Sequence, residues 1–113
     1  MVGCDTVQWA TLRVQNMSSA TLENVQLIGV EPDPITFGTC GPRADVRKSF
    51  TEPLIFGAAV GLEYELDGQR FSQSFSSSGD FPRRLRNRNT IMEFLFTTNR
   101  LWTWTLKKGA TVQ

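Results

Sequence analysis

A single antiparallel β-sandwich of seven or eight strands is the fold class this sequence predicts, and three observations predict it. Apolar and polar residues alternate on both sides of Asp67-Gly68. Turn-forming clusters recur about every ten residues along the chain. No helix-length stretch carries the apolar spacing of an amphipathic helix. A small β-barrel is the rival arrangement.

The elements follow in chain order. Residues 6–15 read as a strand with Val7 and Trp9 on one face. Leu12 and Val14 resume the apolar set one residue out of phase, which predicts a β-bulge near Ala10-Thr11. Asn16-Met17-Ser18-Ser19 is a polar turn. Residues 22–30 form a second strand with Val25 and Leu27 inward. Glu31-Pro32-Asp33-Pro34 reads as a loop crossing between sheets, because two prolines remove two ladder donors. Ile35-Thr36-Phe37 is a short strand closed by a turn cluster at residues 38–42. Residues 45–51 form an edge strand, with Lys48 between the apolar Val46 and Phe50 to discourage further pairing.

The clearest local signal follows. Leu62, Tyr64 and Leu66 alternate with Glu63 and Glu65, and Phe71 and Phe75 alternate with Arg70, Ser72 and Ser74. Asp-Gly between such runs predicts a two-residue type I′ hairpin, with Glu65 and Arg70 opposed as a cross-strand ion pair. Residues 76–79 are a flexible connection and residues 81–89 a basic loop. A last hairpin joins residues 90–97 to 101–107, with Met92, Phe94 and Phe96 on one face and Trp102, Trp104 and Leu106 on one face. The divisions are an N-terminal segment 1–5, a sandwich domain 6–107 and a tail 108–113.

Composition supports a soluble globular class. Of 113 residues, 40% are hydrophobic and 20% charged, which separates the chain from disordered ones. Eight Phe, three Trp and one Tyr each bring roughly 150–250 Å² of buriable surface. The net charge of +1 gives no global field, which argues against a nucleic-acid partner. The chain has no histidine, which excludes His-dependent nucleophilic triads and the commonest metal ligand. The longest apolar run, residues 54–62, is too short to span a bilayer.

Cys4 and Cys40 are the only cysteines, and three readings stay open. Val2-Gly3-Cys4 matches the end of a bacterial lipobox, whose Cys is lipidated; this would be the route to a membrane. A Cys4–Cys40 disulfide would stabilise by roughly 3–4 kcal/mol in the chain-entropy model. Two unrelated reduced thiols are the third.

Asn16-Met17-Ser18-Ser19, residues 22–30, Phe37-Gly38, Gly41-Pro42, Tyr64 and the Asp67-Gly68 hairpin are spaced as in small Ig-like (fibronectin-like) domains of bacterial lipoproteins and periplasmic proteins. The chain resembles that group over residues 6–106. The resemblance implies a binding or adaptor module with loops at its ends and no defined reaction.

Four arginines within six residues, Arg83, Arg84, Arg86 and Arg88, form the densest charge, with Phe81 nearby. Guanidinium groups grip carboxylates in bidentate fashion, so these residues are the candidate protein-binding site; a solvated connection is the bland alternative. Trp102 and Trp104 read as core. Ile91, Leu95 and Leu101 oppose that face and make a candidate apolar strip for a dimer or partner, should the first and last strands be neighbours. Glu63 and Glu65, about 7 Å apart by strand rise, read as a solvated hairpin face and not as an acid–base pair. No phosphate loop, paired-Cys motif or nucleophile elbow is present. The expectation is a non-enzymatic interaction domain of the bacterial cell envelope or periplasm, without cofactor or metal. A structural subunit of a virion or appendage is the alternative, a small enzyme without a recognisable motif comes third, and a cytoplasmic location stands as the alternative to the envelope.

Overall fold

The computed structural model describes residues 10–31, 33–50, 54–75, 82, 84–85 and 90–108. Two sheets pack face to face and no closed barrel forms, so the sandwich prediction holds. The first sheet orders β4 (Asp45–Phe50), β1 (Ala10–Asn16), β8 (Thr90–Phe96) and β9 (Trp102–Lys108). The second orders β3 (Ile35–Cys40), β2 (Leu22–Glu31), β5 (Leu54–Leu66) and β6 (Gln69–Ser74), and the two-residue β7 (Arg84–Leu85) also pairs with β5. One pair, β1 with β8, is parallel. β1 and β2 lie in different sheets, whereas the immunoglobulin constant-type sandwich keeps its first two strands together. The architecture is shared and the strand order is not.

Strict alternation explains the layers. β1 and β8 bury every second residue, so Leu12, Val14, Met92, Phe94 and Phe96 face inward. Leu22, Val25, Leu27, Val60 and Leu62 meet them from the second sheet. Phe94 and Phe96 are fully buried. Tyr64, Phe96 and Trp102 pack edge-on or tilted with centroids 5.0–5.7 Å apart, a geometry that adds to simple burial. Trp102 is core as expected, and Trp104 is half-buried against it. Phe75 is buried, but Phe71 is exposed and stacks on Tyr64 from outside at 5.6 Å.

The Asp67-Gly68 hairpin forms as read, with φ of 53° and 78° and Leu66 opposite Gln69. β4 is an edge strand, and exposed Lys48 stands opposite the fully buried Leu12. An inward-row charge there resists the docking of another strand.

Four expectations are corrected. Residues 31–34 do not cross between sheets; they turn a hairpin, since Leu27 of β2 pairs with Ile35 of β3. Pro34 falls in the connection before β3, where no ladder donor is needed, and Pro32 lies outside the described residues. Gly38 is not in a turn either: its φ of 79° serves a register shift within β3, and the chain turns instead at residues 41–44. No bulge occurs at Ala10-Thr11, because β1 pairs without a break from Ala10 onward; residues 6–9 lie outside the described ones. Arg84 and Leu85 are not loop residues, since they pair with Ile55 and Leu54.

Candidate interaction surface

The sandwich offers three polar surfaces, and each is built by strand register. On the first sheet, Arg47, Asp45, Arg13, Glu93 and Lys107 form a ladder of alternating charge across all four strands. Arg13 donates to Asp45 at 2.9 Å and to Glu93, and Lys107 meets Glu93 at 2.9 Å. The Lys107 ammonium, followed by the Arg13 guanidinium, holds the Glu93 carboxyl below its ordinary range. Arg13 and then Arg47 do the same for Asp45. A shallow depression of about 290 Å³ lies among Arg13, Glu93, Thr103 and Thr105, but its charged groups are satisfied by each other. Ile91 and Leu95 flank Glu93 within this ladder and are half-buried, so the expected exposed strip is not formed. The first strand adjoins β8 and not the last strand, and of the three only Leu101, at the β8–β9 turn, is exposed.

A depressed folded-state pKa stabilises above the unfolded value, near pH 4 for carboxylates, and that stabilisation is lost as pH falls through the lower folded values. We therefore expect the guanidinium unfolding midpoint to fall as the solution is acidified below about pH 4. Glu93→Gln lowers the neutral midpoint and makes the acid decline shallower. Identical declines for both proteins would show that the Glu93 contacts contribute nothing.

On the second sheet, Glu63 and Glu65 point outward from the hairpin. Arg70 donates to Glu63 at 2.7 Å and Gln26 donates at 2.9 Å; these contacts hold the Glu63 carboxyl low, Arg70 foremost. The expected Glu65–Arg70 pair is thus replaced by a diagonal one, and Glu65 accepts from Asn24 at 2.9 Å. Both carboxylates are occupied as hydrogen-bond acceptors on a solvated face.

The third surface is the upper outer face of the second sheet. At a register shift between Ile28 and Val30, β5 bulges around residues 57–60. Above that bulge β5 leaves β6 and takes β7 as neighbour. Its outward residues there, Ile55, Gly57 and Ala59, are exposed. Glu31 of β2 and Arg84 of β7 are the register partners of Ile55 on its two sides.

Of the sequence-predicted site residues, Arg84 is therefore placed at a sheet edge. Arg83, Arg86, Arg88 and Phe81 lie outside the described residues, as does Cys4. Cys40 is a fully buried free thiol that donates to the Ala44 carbonyl at 3.3 Å, and burial raises its pKa. Among the described residues no group of three acidic, His or Cys side chains is placed to hold a metal. Sequence reasoning missed Glu31 and Ile55. The signal was the apolar character of the odd positions 55, 57 and 59, which a strand assignment would have turned outward.

Fold and surface together define a two-sheet β-sandwich module with a basic strand on its edge. No protein-family profile and no curated protein matches the chain. Among solved structures it is similar to a protein from Eubacterium rectale, at 14% identity and a TM-score of 0.56, with 96% of this chain and 97% of that one aligned. It is also similar to a candidate cell adhesion protein from Bacteroides ovatus, at 10% identity and a TM-score of 0.55. That alignment covers 95% of this chain and 46% of the other. At such identity the likeness establishes the sandwich fold alone.

Proposed function

We propose that this chain is a non-enzymatic interaction domain of a bacterial envelope lipoprotein or periplasmic protein, acting through protein–protein contact. An inhibitor or immunity-like partner of a secreted enzyme is one concrete form. The observation that carries the reading is β7: Arg84 and Leu85 are paired to the start of β5, so one residue of the arginine-rich sequence has its backbone held in a sheet. A group held on rigid secondary structure loses less freedom on binding than one on a free loop. The cell-adhesion role suggested for the Bacteroides ovatus neighbour is compatible with such a contact domain. Changing Arg83, Arg84, Arg86 and Arg88 together to Ala should leave the fold intact and abolish capture of the partner from source-cell lysate. Undiminished capture would sink the reading. Finding an apolar leader encoded upstream and ending at Gly3 would support lipidation of Cys4, and a natural start at Met1 would count against it.

A structural subunit is the second reading, favoured by β6. Among the described strands β6 ends its sheet, and its six-residue ladder with β5 has no break and no proline. Such edges template further strands. A monomer that is independent of concentration would count against assembly.

A further inference from the structure

β5 carries two outer faces of opposite chemistry. Below the bulge, Glu63 and Glu65 are half-buried and bonded to polar partners, as expected for the solvated side of a sandwich. Above it, Ile55, Gly57 and Ala59 take the outward positions, with Ile55 42% exposed. Ile28 of β2 is half-buried nearby on the same side. An apolar centre on a sheet face excludes water only when something covers it.

The flanks of this face say what covers it. The row through Ile55 ends on Glu31 on one side and Arg84 on the other. Glu31 is exposed, and no described cation forms a salt bridge with it. With strands about 4.8 Å apart, the acid and the base stand about 10 Å apart along the backbone, with Ile55 between them. The face is therefore self-complementary.

We propose that it is a homodimer interface, in which a second copy docks face to face about a two-fold axis running along β5. That axis exchanges the β2 side for the β7 side. Glu31 of each copy then lies over Arg84 of the other, and Ile55 lies over Ile55. An axis running across the strands would instead set Glu31 over Glu31, so the charges select one arrangement. Two sheets packed this way close into a dimer, as an isologous interface must. The proposal rests on the reading of the arginine stretch as a contact surface, and it names the partner.

Sedimentation equilibrium of the full chain tests it, with wild type, Glu31→Arg, Arg84→Glu and an equimolar mixture of the two variants. Circular dichroism establishes that each variant is folded. The wild type is expected to dimerise, and each single reversal to weaken the dimer by about tenfold or more. The mixture is expected to recover wild-type affinity, because substituted position 31 of one copy meets substituted position 84 of the other while the second pair is native. Ile55→Asp is expected to give a monomer. A wild type that stays monomeric at every concentration overturns the proposal, as does a mixture that fails to recover or a dimer indifferent to both reversals. If the wild type is monomeric but Arg84→Glu abolishes partner capture, the dimer is wrong and the contact reading stands. If neither capture nor association responds, both are wrong.

Discussion

Replacing Asn16 with Ala is expected to destabilise the domain by about 3–4 kcal/mol, more than any other single polar substitution among the described residues. Asn16 is fully buried at the end of β1. Its Nδ2 donates to the carbonyls of Ala20, Cys40 and Gly41 at 2.6–3.2 Å. Its Oδ1 accepts from the Ser18 backbone N–H at 3.0 Å and the Ser18 hydroxyl at 2.6 Å. One amide thereby ties the β1–β2 turn to the β3–β4 turn, where each connection passes from one sheet to the other. Truncation takes a donor from three carbonyls, of which Gly41 keeps the Ala44 N–H and Ala20 a long contact from the Ser18 hydroxyl, removes the acceptor of the Ser18 N–H and leaves a hole. Each group left unpaired costs about 1–3 kcal/mol, less whatever water recovers. Ser18→Ala removes only one of these contacts and should cost about 1 kcal/mol. Asn16→Asp keeps the acceptor but turns a second oxygen toward the three carbonyls, so it should be destabilising too, and more so as pH rises and the carboxyl ionises. Urea midpoints at constant m-value measure all three. An Asn16→Ala loss no larger than that of Ser18→Ala would show that the two turns are held by packing instead.

The turn containing Asn16 was legible in the sequence as polar, but its burial was not. Buried position follows from which strands meet, and a polar quartet looks the same on a surface. The Asp67-Gly68 hairpin was legible in detail because a two-residue turn fixes register, and register fixes every side chain around it. The β2–β3 hairpin was misread because proline excludes a ladder site without saying whether the chain turns back or crosses over. The parallel pairing of β1 with β8 left no trace, since alternation of residues 10–16 is the same whichever neighbour lies beside them. Gly38 shows the same ambiguity, as positive φ serves a bulge as well as a turn.

The surface was half legible. Four close arginines are visible in any sequence, but a two-residue strand has no periodicity, so nothing marked Arg84 as paired to β5. Ile55 was hidden for a different reason. Residues 54–62 read as an apolar run, and such a run does not say which residues face out until the strand is placed. Glu31 acquired meaning only through its register opposite Ile55.

The bulge that separates the two faces of β5 depends on Gly29, and Gly29→Ala is expected to cost about 3–4 kcal/mol. Two penalties combine there. Gly29 has φ 81°, and a Cβ added to it would overlap the Ala59 carbonyl oxygen and stand 2.8 Å from the Val60 Cα. These are backbone atoms, which cannot swing aside as a side-chain tip can. Gly38 supplies the control, because its φ of 79° is nearly the same but nothing lies within 4 Å of the added carbon. Gly38→Ala should therefore cost only the left-handed backbone penalty of about 1–2 kcal/mol. The difference between the two variants isolates the close approach of β2 to β5. Equal losses in chemical denaturation would mean that the bulge yields freely and that the upper face of β5 is not held in place. A loss at Gly29 alone, accompanied by faster amide exchange at Ile55 and Phe56 than at Glu63 and Tyr64, would show that the upper half of β5 is released first. The apolar face is rigid, on this argument, because one glycine lets two backbones touch.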